Sequence, residues 1–206
     1  TGRRTAYPPR PTEKGERTMD DLTTYLHEQL DWHWRVLARP RLEGLTDEEY
    51  LWEPVAGAWS VRDRDQESPA TVTRRTGSGR WVLEYGHPEP DPVPVTTIAW
   101  RLAHVVVGVL GIRAASHFGG PAMDHDTFAF AGTAQEALAQ LYAAYAAWSA
   151  GVRALTEGTL AAPVGPAEGH FAKEPMITLV LHINREVIHH LAEVALLRDL
   201  WAHGLR

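Results

Sequence analysis

Leucines 22, 26, 30 and 37 stand four or seven residues apart, so between Met19 and Leu37 they fall on one side of a helical wheel. The stripe predicts an amphipathic helix, with His33 inside it and Pro40 as its stop. Thr46-Asp47-Glu48-Glu49 then has the form of a capping box and predicts a short second helix ended by Pro54. From Ala56 to Thr97 the periodicity lapses. Gly57, Pro69, Gly77, Gly79, Gly86, Pro88, Pro90, Pro92 and Pro94 punctuate that stretch, and only Trp81-Val82-Leu83 has the character of a short strand. It reads as a long ordered loop, which in a compact domain generally has a functional reason.

The pattern resumes at Ile98. A helix apolar nearly all round runs to Phe118, capped by Thr96 or Thr97 and broken at Gly119-Gly120-Pro121, and its composition places it at the centre of the fold. Thr133-Ala134-Gln135-Glu136 opens an alanine-rich helix through Leu141, Tyr145, Trp148, Val152 and Leu155, with Gly158 as its end. Pro175 suits the first turn of a last helix that reaches Trp201 and stops near Gly204. Four long helices and one short one, joined by loops too long for simple hairpins, predict an all-α bundle with crossover connections. Residues 19–206 form one domain in this reading, and residues 1–18 a flexible tail.

Composition narrows the chemistry. With 206 residues, 44% of them apolar, the chain can bury a substantial core. It has no cysteine, so a metal must sit on His, Asp or Glu, and thiol chemistry needs an outside thiol. A net charge of −6 gives phosphate backbones no general attraction, and the one dense basic cluster is Arg74, Arg75 and Arg80. Nucleic acid is not an expected partner. The opening residues lack the apolar run of a signal peptide, and Arg101, His104 and Arg113 interrupt the most hydrophobic segment, so a cytoplasmic protein with no membrane span is expected.

Two polar residues then stand out on the last helix. Met176, Leu179, Ile183, Val187, Val194, Leu197 and Trp201 define its buried stripe, and His190 falls near the centre with Glu186 beside it. Their spacing of four stacks them on adjacent turns, the geometry by which one helix offers two ligands to one ion, with Glu193 on the same edge as a supporting group. His104 on the central helix shares a face with the small residues Gly108, Gly111 and Ala115, which leave room for a cavity and make a third ligand available. His33 is a candidate pocket residue or proton shuttle facing the same space. Other readings stay open. His104 and His190 can be hydrogen-bonded core residues, Glu186 can pair with Arg185 or Arg113, and His182 with His189, seven residues apart, forms a rival ligand pair.

The isolated histidine in the second long helix, Leu45-Thr46-Asp47-Glu48-Glu49, Trp59-Ser60-Val61 and the string from Ile183 to Glu193 together resemble the DinB/YfiT-like superfamily over roughly residues 19–202. The resemblance implies a four-helix bundle with long crossover loops, and many members bind nickel or zinc through three histidines. This chain departs from that pattern, since Glu186 stands four residues before His190. The His/Glu/His variant is similar to the mycothiol-dependent maleylpyruvate isomerase branch. Carried over residue by residue, it gives His104, Glu186 and His190 as ligands of a divalent metal, with mycothiol as a candidate cosubstrate. A small-molecule substrate is expected, and a homodimer is a candidate assembly.

Overall fold

A computed structural model describes residues 19–205; the predicted tail, residues 1–18, lies outside the described residues. Helix α1 runs through Met19–His33, a π-helical turn at Trp34–Ala38 and a last α-turn at Arg39–Leu42. Pro40 therefore does not stop it. In the widened turn the Arg39 N–H reaches the Trp34 carbonyl, five residues back, and the looser spiral gives the proline ring room that a regular helix denies it. The same turn shifts the phase of the apolar stripe. Leu30, Trp34, Ala38 and Leu42 are buried, whereas Leu37 turns outward.

Thr46 caps the short α2 (Asp47–Tyr50), its hydroxyl accepting the Glu49 N–H at 3.3 Å. The segment predicted as a loop is not one throughout. It holds an antiparallel sheet of three short strands, β1 (Val61–Asp63), β2 (Arg74–Thr76) and β3 (Trp81–Tyr85), in the order β1-β3-β2. Both outer strands meet the centre at Leu83, which faces Val61 on one side and Thr76 on the other. The chain is thus mostly helical rather than all-α. Val61, Val82 and Leu83 pack inward, and the fully buried Glu84 carboxylate accepts from the Ser60 N–H (3.0 Å) and Arg62 Nε (2.7 Å). A buried carboxylate is tolerable only with such partners.

Helix α3 (Ile98–Phe118) opens with Thr97 accepting the Trp100 N–H at 3.2 Å, and the Trp100 indole donates to the Glu84 carbonyl at 2.7 Å. The sheet is thereby pinned to α3 one turn before His104. From His104 to Gly111 this helix is π-helical. Gly119 ends it at φ 68°, a left-handed conformation natural to glycine at a helix C-terminus. Although α3 is long and apolar enough to cross a membrane, 61% of its most apolar window is buried against the rest of the protein.

Helix α4 spans Ala134–Arg153 and is capped by Thr133. It ends before Gly158, which falls instead in α5 (Glu157–Ala161), where Thr156 and Thr159 form a reciprocal capping box. A 3₁₀ segment at Pro166–Phe171 leads into α6 (Met176–Ala202). Helices α1, α3, α4 and α6 pack on one another around a single core that includes Leu102, Leu110, Leu141, Trp148 and Ile183.

Candidate metal centre

The inner face of α6 is apolar from Met176 to Leu197 except at Asn184 and His190, both buried. Asn184 is answered by α1, since its amide donates to the Leu26 carbonyl (2.8 Å) and to Gln29 Oε1 (3.2 Å). His190 has a different environment. Its Nδ1 donates to Glu193 Oε2 at 2.8 Å, and Glu193 is held in turn by the Arg101 guanidinium of α3. A carboxylate only accepts, so in the neutral ring it is Nδ1 that carries the proton and Nε2 that keeps the lone pair, while the Arg101 guanidinium also approaches Nδ1 at 3.4 Å. That lone pair faces Glu186 Oε2 at 3.6 Å. The distance is too long for a hydrogen bond and leaves a gap that a cation shared by the two groups would bridge. Two ligands each about 2.1 Å from a tetrahedral ion stand about 3.4 Å apart, close to the spacing observed.

His104 enters from α3. Its ring lies edge-on to His190 with centroids 4.7 Å apart and stacks on Trp100 at 5.3 Å. Burial first, and then His190, His125, Arg101 and Arg113, push its pKa down to about 4. At neutral pH it is therefore the uncharged imidazole that a metal requires. His104 and Glu186 line a cavity of about 300 Å³ together with Gly108, Arg113, His125 and His182. A Cβ at position 108 would sit 3.1 Å from His104 Nδ1 and 3.5 Å from His125 Nε2, so glycine there preserves the space between the two rings.

Among the described residues, the group whose ligand atoms gather within 4.8 Å of one another is His189, His190 and Glu193. His104, Glu186 and His190 adjoin without gathering as closely. The rival histidines diverge onto separate carboxylates: His182 Nδ1 accepts from Arg185 at 2.8 Å and lies 3.6 Å from Glu186 Oε1, while the exposed His189 lies 3.3 Å from Glu193 Oε1. Arg185 Nε stands 3.6 Å from Glu186, whereas Arg113 pairs with Glu168. His33 does not line the His104 cavity. Its Nε2 is buried without a hydrogen-bond partner, and burial lowers its pKa.

His125 is the cavity residue that helical periodicity does not reveal, because it sits in the loop between α3 and α4. Asp124 folds that loop locally, accepting the Asp126 and Thr127 N–H groups at 2.9 and 2.8 Å. The sheet clamps it from outside through Arg74 to Asp126 and the Ser78 hydroxyl to the Thr127 carbonyl (2.7 Å). Burial lowers the His125 pKa, leaving it a neutral imidazole at the cavity wall.

Comparison with known families places the chain independently of this geometry. The sequence profile of the DinB superfamily matches residues 29–194, and the chain belongs to that superfamily, whose members typically bind a metal. No curated protein and no solved structure matches it.

Proposed function

We propose that this protein is a divalent-metal-dependent enzyme built on a DinB-like four-helix bundle, with zinc or nickel held by His104, Glu186 and His190. It activates a low-molecular-weight thiol of the mycothiol type, or water, against a small electrophile. The observation that carries the reading is the pair of facing acceptors, His190 Nε2 and Glu186 Oε2, 3.6 Å apart beside a cavity of about 300 Å³. Two neutral imidazoles and one carboxylate suit zinc or nickel and leave coordination positions open, as catalysis requires. When bound, such an ion supplies Lewis acidity that lowers the pKa of a thiol or water toward neutrality. The residues around it do the rest. Glu193 and Arg101 orient His190, Trp100 supports the His104 ring, and His125 and His182 flank the open side.

The gathering of His189, His190 and Glu193 supports a second reading, in which the ion sits one turn further along α6 and the protein binds metal without catalysis. That arrangement would set the ion against the Arg101 guanidinium already on Glu193. Metal content of untagged protein separates the readings. Loss of metal in Glu186→Gln and retention in His189→Gln supports the catalytic site, and the reverse outcome transfers the ion to the second cluster.

A further inference from the structure

The metal-side cavity has a neighbour along α6. Arg113 and His182 line it and also line a second hollow of about 480 Å³, so the two adjoin as an inner and an outer lobe. The walls of the outer lobe change character. Val164, Phe171, Leu179 and Leu181 join its lining beside Thr178 and several charged side chains, and Phe171 and Leu181 are 68% and 46% exposed at the lip. Large apolar side chains so exposed around a concave surface mark a place that something apolar covers.

The charged groups nearby are largely engaged with one another. Glu168 is held by His117 at 2.9 Å and Arg113 at 3.4 Å, and Arg113 also donates to the Gly108 carbonyl. Arg185 leans onto His182 and Glu186. Glu174 alone stands at the margin as a free negative charge and disfavours a ligand whose anionic end lies outward. The polarity of the cleft therefore runs one way, from ligating groups inside to hydrocarbon outside.

We infer that the cleft takes an amphipathic small molecule whose metal-ligating head lies at His104 and Glu186 and whose apolar body, about six to ten carbons, fills the lobe walled by Phe171, Thr178 and Leu181. The head rests on the metal reading above; the apolar body does not. An occupant shorter than this leaves Phe171 and Leu181 wet, and one with an anionic far end meets Glu174.

The test compares octanohydroxamate with acetohydroxamate, which share a chelating head and differ by six methylenes. Binding to cobalt-loaded protein is followed by the visible spectrum of the ion. Octanohydroxamate should bind about 100-fold more tightly, a fraction of what complete burial of six methylenes would give. Thr178→Trp, which fills the lobe, and Leu181→Glu should erase most of that gain while leaving acetohydroxamate unchanged. Leu196→Glu, another exposed leucine of α6 outside the cleft, should preserve it. Equal affinities for the two hydroxamates, or a tail-dependent gain that survives both lobe variants, overturn the inference. If the protein takes up no cobalt, the metal reading fails separately, and the lobe is then read with the uncharged fluorophore N-phenyl-1-naphthylamine on metal-free protein. Brightening in the wild type that Thr178→Trp abolishes supports the apolar lobe, and no difference between them rejects it.

Discussion

Two polar patches lie inside this protein, and both combine histidine with a carboxylate. Between α1 and α4, His27 Nε2 meets Ser149 Oγ at 2.8 Å, the Tyr145 hydroxyl donates to Asp31 at 3.0 Å, and Arg35 closes the chain on Asp31 at 2.6 Å. Each contact there joins groups with complementary hydrogen-bonding roles. Between α3 and α6, His190 and Glu186 present lone pairs to each other at 3.6 Å beside a cavity, and His104 contributes ring contacts alone. Residue types are alike in the two patches, although Arg35 of the first is mostly exposed. What separates the two is how closely the protein's own donors reach the carboxylate: Asp31 accepts from Tyr145 and Arg35, whereas His182, Arg185 and His190 all stand 3.6 Å from Glu186.

The largest effect should come from removing a ligand on the open patch. Glu186→Gln or His190→Gln should weaken zinc binding on the order of 1,000-fold by isothermal titration, while His27→Gln leaves it unchanged. Equal zinc affinity in all three variants would erase the distinction drawn between the patches. Next comes acidity. The His104 pKa is near 4 in the folded protein and near 6.5 unfolded, so the unfolded chain takes up the proton first. The stability of metal-free protein should therefore be complete above pH 6.5 and fall by about 3 kcal/mol at most as pH drops toward 4. His104→Gln should flatten that limb in urea titrations, and an unaltered slope would mean that other groups produce it.

Smaller changes sharpen the contrast. Glu193→Gln keeps the volume but loses the charge that orients His190, and zinc affinity should fall about 10-fold. A loss as large as that of Glu186→Gln would make Glu193 a ligand and favour the cluster with His189. Smallest is Ser149→Ala in the closed patch, expected to cost about 1 kcal/mol of stability by thermal unfolding with no change in zinc affinity.

The open patch was legible in the sequence because a polar residue in an apolar helix is conspicuous: the stripe of α6 singled out Glu186 and His190, and the nearly all-round apolar character of α3, with small residues beside it, singled out His104. Three features were not legible. The π-helical turns leave apolar residues apolar and shift only their phase, which is why Leu37 was expected inside. Strands of three residues such as Arg74-Arg75-Thr76 carry no alternation, and this sheet depends on a buried carboxylate and its arginine, partners far apart in the chain. His125 belongs to a loop, where no periodicity says which way a side chain points. The tertiary clamp through Arg74, Ser78 and Asp126 supplies that information instead.

Gly108 gives the site an outward sign that needs no structure to read. One added methyl would press within 3.1 Å of His104 and oblige the ring to give by a few tenths of an ångström, whereas a branched side chain would occupy the space between His104 and His125. By the same geometry, a chain that keeps the histidine but carries valine or leucine one turn later is expected to leave no room for a ligand between the two rings.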